Sequence, residues 1–204
     1  EMVSRNVGEY RYPLGGKLYV FNKNENIGFI KGHMCSPAIA TQAEDLIAGG
    51  VKELIHVGYA GGLQPELVPG EIILTDGAFN DTAVARLYGY DYDIIHSSKD
   101  LTNEIEEMIT SAEILYKRGF HWTTDAGYRE TWGQVMDYRD KGALCVEMEG
   151  VGLFTIANYR KCVATGIYVV SDVYLEDDWK LGWEGNDIKK AVGEIIDMII
   201  KSIR

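Results

Sequence analysis

The stretch from residue 143 to 174, ALCVEMEGVGLFTIANYRKCVATGIYVVSDVY, constrains this 204-residue chain more than any other. Ala143 to Val146 is a short apolar run, Gly150 to Tyr159 is a small-residue segment carrying Val151, Phe154 and Ile156, and Ala164 to Val170 is β-branched and apolar. These patterns predict strand, helix and strand, a βαβ unit. Acids stand where its strands end: Glu147 and Glu149 after the first, Asp172 after Val169, Val170 and Ser171. In open α/β sheets ligands gather beyond the carboxyl ends of parallel strands, so these acids are expected to face one crevice. Burial there raises a carboxyl pKa and suits it to general acid work. The alternative is that each acid caps the next helix, because Asp and Glu are favoured in first turns.

The string VEMEG at 146–150, followed by VVSD at 169–172, resembles the nucleoside phosphorylase and nucleosidase superfamily. Its members cut the N-glycosidic bond of purine or pyrimidine nucleosides. The resemblance runs from about Gly32 to Asp172. It implies an α/β fold, a three-layer α/β/α sandwich with a mixed central sheet. It also implies roles: Met148 and Glu149 hold the ribose, with Glu149 accepting from the sugar hydroxyls, and Asp172 is the catalytic acid acting on the purine ring nitrogen. Ser171 falls on the base side with it.

Composition narrows the partners. With 46% hydrophobic residues, the chain can bury a full core, and one α/β domain over 1–204 is the natural count. Lys plus Arg number 20 against 31 Asp plus Glu, a formal charge of −11, which argues against a nucleic acid partner. Neither an eighteen-residue apolar run nor a charged-then-apolar leader is visible, so a cytoplasmic protein without a membrane span is expected. Cys35, Cys145 and Cys162 have no metal spacing and read as reduced, mostly buried thiols.

Taken in order, residues 10–21 look like a hairpin around Gly15 and Gly16, and Ile27 to Ile30 like a strand. Ser36 as N-cap and Pro37 at the first position open a helix whose Ile39, Ala43, Leu46 and Ile47 share one face, and Gly49 and Gly50 stop it. The resemblance makes the preceding turn a ribose-side loop with Met34 on the sugar; core filling is the alternative. Residues 51–63 form a strand opening into a glycine-rich turn, where successive amides can make an anion nest. By resemblance this is the phosphate turn, with Gly58, Tyr59 and His56 as its candidates. Relatives usually carry Arg where His56 stands and Ser or Thr where Tyr59 stands. Their N-terminal strand, with its glycine and arginine phosphate contacts, has no counterpart before the hairpin, and Arg5 or a second subunit's Arg is left to supply charge.

Residues 76–98 read as an irregular, tyrosine-rich loop, and Leu101 to Arg118 as a helix with Leu115 on its apolar face and Gly119 at its end. Phe120 to Ala126 is a strand ending in TTDAGYRET, which resembles a base-pocket segment. Gly127 replaces the usual stacking Phe, so Tyr128 is expected to stack on the base and Arg129 to reach a base carbonyl, with a surface position as their alternative. Residues 175–186 read as a polar lid containing Trp179 and Trp183, and the acids Glu176, Asp177 and Asp178 as a solvated run, with no metal site. Asn186 or Asp187 caps a last helix with Ile188, Val192, Ile195, Ile196, Ile199 and Ile203 on one face.

The resemblance implies phosphorolysis of a nucleoside to free base and ribose 1-phosphate, with phosphate as co-substrate, no cofactor, and a homodimer or homohexamer closing the pocket. Hydrolysis by a nucleosidase and weakly catalytic nucleoside binding are the rivals. Weak phosphate affinity improving from about pH 8 to 6 is expected if His56 protonates.

Overall fold

The computed structural model describes residues 7–11, 17–21, 24–176, 179–182 and 185–202. A three-stranded antiparallel sheet comes first, β1 (Val7–Arg11), β2 (Lys17–Phe21) and β3 (Asn24–Ile30) in that order. Pairing of Arg11 with Lys17 makes the expected hairpin, whose Gly15 and Gly16 lie outside the described residues, as does Arg5. Tyr19 and Phe29 stack across β2 and β3 with ring centroids 5.0 Å apart.

The main sheet contains β4 (Glu53–Gly62), β5 (Ile72–Asp81), β6 (Ile94–His96), β7 (Lys117–Thr124), β8 (Cys145–Glu147), β9 (Val163–Tyr174) and β10 (Trp179–Leu181). Its order is β10-β9-β4-β8-β7-β5-β6, and a further pairing of Ile72–Leu74 with β9 closes β9, β4, β8, β7 and β5 into a ring. β4 and β9 run parallel; β5, β7 and β8 run parallel to each other and against them. The sheet is therefore mixed, as expected.

Period-two alternation along β9 separates two environments. Tyr168 and Val170 join Ala60, Ile73 and Cys145 in one cluster. Ile167 and Val169 pack with α3 (Lys99–Ser111) and α6 (Asn186–Ser202), through Leu101, Ile105, Ile109, Ile188 and Ile195. A second helix pair, α1 (Ser36–Ala48) and α5 (Gly150–Arg160), buries Ile39, Ala43, Val151 and Phe154 against Ala78 and Ala164, with the short α2 (Val84–Leu87) beside it. Helices thus flank a central mixed sheet. No helix among the described residues is long and apolar enough to cross a membrane.

Several expectations change. β8 and β9 are not neighbours: Gly61 of β4 lies between them, paired antiparallel with Val146 and parallel with Asp172. Periodicity reveals strand and helix but not direction, and the two strands of the expected parallel βαβ unit run in opposite senses. Residues 76–98 are largely regular, since β5 continues to Asp81 and both α2 and β6 follow. The helix expected to reach Arg118 stops at Ser111, where Glu113 takes the left-handed φ of 56°; Leu115 is 91% exposed and Gly119 belongs to β7. α4 (Trp132–Asp140) was not foreseen, although Thr131 and Gln134 form a capping box at its start. Part of the expected lid is β10, paired with β9 so that Leu181 faces Asp172; Asp177, Asp178 and Trp183 lie outside the described residues.

Candidate active site

At the end of β8, Glu147 is buried and surrounded by donors. Its carboxylate accepts from Thr123 Oγ1 at 2.5 Å and from the backbone N–H groups of Glu149 and Gly150, each at 2.8 Å. His121 Nε2 lies 3.1 Å from it, and His121 Nδ1 sits 2.6 Å from Thr75 Oγ1. Burial by itself would raise this carboxyl, but attraction and hydrogen bonding to His121, with help from His56 and Thr123, hold it down at about 2. The helix-capping alternative therefore describes Glu147, which satisfies the first amide of α5.

Glu149 behaves differently. It makes no side-chain cap to α5; its Oε1 instead accepts the backbone N–H of Cys35 at 2.7 Å. Cys35 reaches that position with φ at 72°, a left-handed conformation, and serves as the N-cap of α1 in place of the expected Ser36. Ser36 Oγ donates to Met148 O at 3.0 Å, tying the turn before α1 to the E-M-E string. The two helices touch at backbone distance, because a Cβ on Gly152 would lie 2.4 Å from Ser36 O. Burial first, and the charge of Glu147 second, push the Glu149 carboxyl up to about 7. Met34, next in line, is 74% exposed, which excludes core filling.

On β9, Asp172 is buried, with Ser171 Oγ 2.5 Å from its Oδ1 and 3.2 Å from Ala60 O. Only glycine fits opposite. A Cβ on Gly61, at the bulge in β4, would lie 2.9 Å from the Tyr174 ring and 3.4 Å from Asp172 Oδ2. Tyr174 donates its hydroxyl to Glu130 Oε2 at 2.6 Å. Glu130 Oε1 and Met148 Sδ in turn border the space at Gly127, 3.4 and 4.0 Å from where its Cβ would stand. Burial, with Asp172 adding repulsion against the Tyr174 hydrogen bond, raises the Glu130 carboxyl. A continuous set of neighbours thus joins Cys35, Glu149, Met148, Gly127, Glu130, Tyr174 and Asp172.

Sequence reading missed Glu130. Tyr128 projects fully into solvent and Arg129 is exposed, on a 3-10 turn over Gly127–Arg129, so both take the surface position that was their alternative. The capping box at Thr131 was the available signal, since it places residue 130 immediately before α4. Asp125 orders the loop, accepting the Ala83 N–H at 3.1 Å.

The glycine-rich stretch differs from the turn expected there. Gly58, Gly61 and Gly62 lie within β4, which is bulged between Ala60 and Gly61, and none of the three has positive φ. His56 and Gly58 share one face, with His56 Cε1 3.1 Å from a Cβ on Gly58 and its Nδ1 3.5 Å from the Tyr168 hydroxyl. Tyr59 projects from the other face, 48% exposed. Burial holds the His56 imidazole below its ordinary 6.5, with Glu147 pulling the other way.

A family described as the phosphorylase superfamily matches residues 4–201. The chain is 32% identical over 139 residues to a DeoD-type purine nucleoside phosphorylase of Exiguobacterium sibiricum, covering 67% of this chain and 59% of that protein. A protein of the same description from Bacillus cytotoxicus is 31% identical over 138 residues, with the same shares of 67% and 59%. A third, from Caldanaerobacter subterraneus subsp. tengcongensis, is 33% identical over 156 residues, covering 71% and 67%. The chain thus spans 59% of the length of the first two relatives.

Proposed function

The chain belongs to the phosphorylase superfamily, and from that premise we propose that it cleaves the N-glycosidic bond of a purine nucleoside by phosphorolysis. The observation that carries this reading is the row of neighbours from Glu149 and Met148, across the space at Gly127, to Glu130, Tyr174 and Asp172. Sugar and base sides of one ligand can be served there together.

In this reading Glu149 accepts hydrogen bonds from the ribose hydroxyls, which strengthen as positive charge develops on the sugar ring. Met34 and Met148 pack against the sugar. The C1′–N9 bond breaks with its electron pair passing to the base, Asp172 gives its proton to N7, and a phosphate oxygen forms the new bond to C1′. The products are free base and ribose 1-phosphate. Glu149 must be ionised to accept from two hydroxyls, so its position at about 7 leaves it half charged near neutrality. Phosphate is the only co-substrate, and no cofactor or metal enters. Assembly as a homodimer or homohexamer, with a neighbouring subunit's cation at the anion, belongs to the same reading.

One observation favours a hydrolytic version of the same cut: His56, held neutral by burial, offers no fixed charge for a phosphate dianion. Product analysis separates the two. Ribose 1-phosphate formed only with added phosphate supports phosphorolysis; free ribose at the same rate without phosphate makes the protein a nucleosidase.

A further inference from the structure

We infer that Glu130 reads the six-position of the purine, and that the site favours 6-aminopurine nucleosides over 6-oxopurine nucleosides. This rests on the reaction proposed above, with Asp172 acting on N7. An adenine presents N7 as an acceptor beside the 6-amino donor, whereas guanine and other 6-oxopurines present two acceptors on that edge. A site that donates at N7 and accepts at the six-position matches only the first pattern.

Asp172 supplies the donor. The acceptor stands one hydrogen-bonded step away, because Tyr174 lies two residues along β9 on the same face as Asp172, and both pack against Gly61. Tyr174 commits its single hydroxyl proton to Glu130 Oε2 at 2.6 Å. That contact fixes the carboxylate and leaves Oε1 at the space beside Gly127, facing Met148 of the ribose-binding string. Oε1 accepts no hydrogen bond from any described residue. A half-buried carboxylate oxygen without a donor is completed by a ligand N–H and repelled by a ligand carbonyl. The guanidinium tied to the Tyr174 backbone is engaged elsewhere: Arg139 donates to Leu63 O at 2.5 Å and to Tyr174 O at 2.8 Å. Arg129 is exposed.

The test follows free base released by the full chain from adenosine and from inosine, each with and without inorganic phosphate. The expected kcat/KM favours adenosine by at least about tenfold. Glu130→Gln, whose amide can turn its NH2 toward O6, is expected to cut the adenosine-to-inosine ratio about 10- to 100-fold. Tyr174→Phe releases Glu130 and moves the ratio the same way by less, and it decides the matter if Glu130→Gln does not fold. A wild-type preference for inosine, or a ratio unmoved in the folded variants, overturns the inference and leaves the glycosidic cleavage standing. Release of base from neither nucleoside by the wild-type protein overturns the reaction and the inference with it.

Discussion

The end of β8 and the glycine run of β4 meet at Gly61, yet they are built on opposite plans. At β8 every acid has assigned donors: Glu147 takes two backbone amides and a hydroxyl, and Glu149 takes the Cys35 amide. At β4 the side chains withdraw, leaving Gly58, Gly61 and Gly62 with one neutral-leaning histidine packed over Tyr168. In the proposed reading, sugar and base are held by groups that β8, β9 and the turn before α1 already bring together. A site for a dianion needs fixed positive charge as well, and in the proposed reading β4 brings no such charge. The difference also appears within two residues of β8, where Glu147 is held at about 2 and Glu149 at about 7. Donors, not burial alone, decide which carboxylate stays ionised.

The largest expected effect breaks the β9 side. Asp172→Asn keeps the shape but removes the transferable proton, so kcat should fall about 10²- to 10⁴-fold while nucleoside binding persists. Loss of binding in step with loss of turnover would make Asp172 a structural group. Glu147→Gln comes next and acts on stability: removing one member of a buried, hydrogen-bonded pair costs about 3–5 kcal/mol, read as a lower denaturant midpoint. An unchanged midpoint would mean that His121 and the α5 amides need no carboxylate. Glu149→Ala should weaken transition-state binding by about 2–4 kcal/mol, roughly 30- to 1000-fold in kcat/KM, with little loss of fold.

Two pH experiments sharpen the comparison further. Glu149 is raised from 4.5 to about 7 on folding, so the stability it contributes is complete below about 4.5 and is lost as pH rises to about 7. Glu147, lowered to about 2, contributes stability above about 4.5 that is lost as pH falls toward 2. Tm should therefore decline between pH 5 and 8 by a margin that Glu149→Gln reduces; an identical profile in that variant removes Glu149 as the cause. The smallest effect concerns phosphate. Because His56 is held below 6.5, the phosphate KM should change by less than about threefold between pH 8 and 6. This replaces the improvement expected from sequence, and a steep gain over that range would restore it.

Local periodicity carried most of the fold. Gly150–Arg160 and Asn186–Ser202 are helices within a residue of where small-residue and isoleucine patterns place them. The E-M-E string and VVSD were readable because they resemble strings of the superfamily to which the chain belongs. What escaped reading depends on residues far apart. The direction of β8 and the β5–β9 pairing follow from strand partners that no local pattern encodes. Glu130 escaped for a related reason: a polar residue in a turn looks solvated until Tyr174 is seen to hold it.

Ring closure has a consequence for synthesis on the ribosome. β9 is the last of the five strands to emerge, and it is the partner of both β4 and β5. A nascent chain ending before residue 163 exposes an unpaired edge on each of those strands, along with Ile72 and Leu74, which β9 and α6 later help to bury. Such edges are templates for pairing with other chains. The segment that seals the ring after the other four strands also carries Asp172.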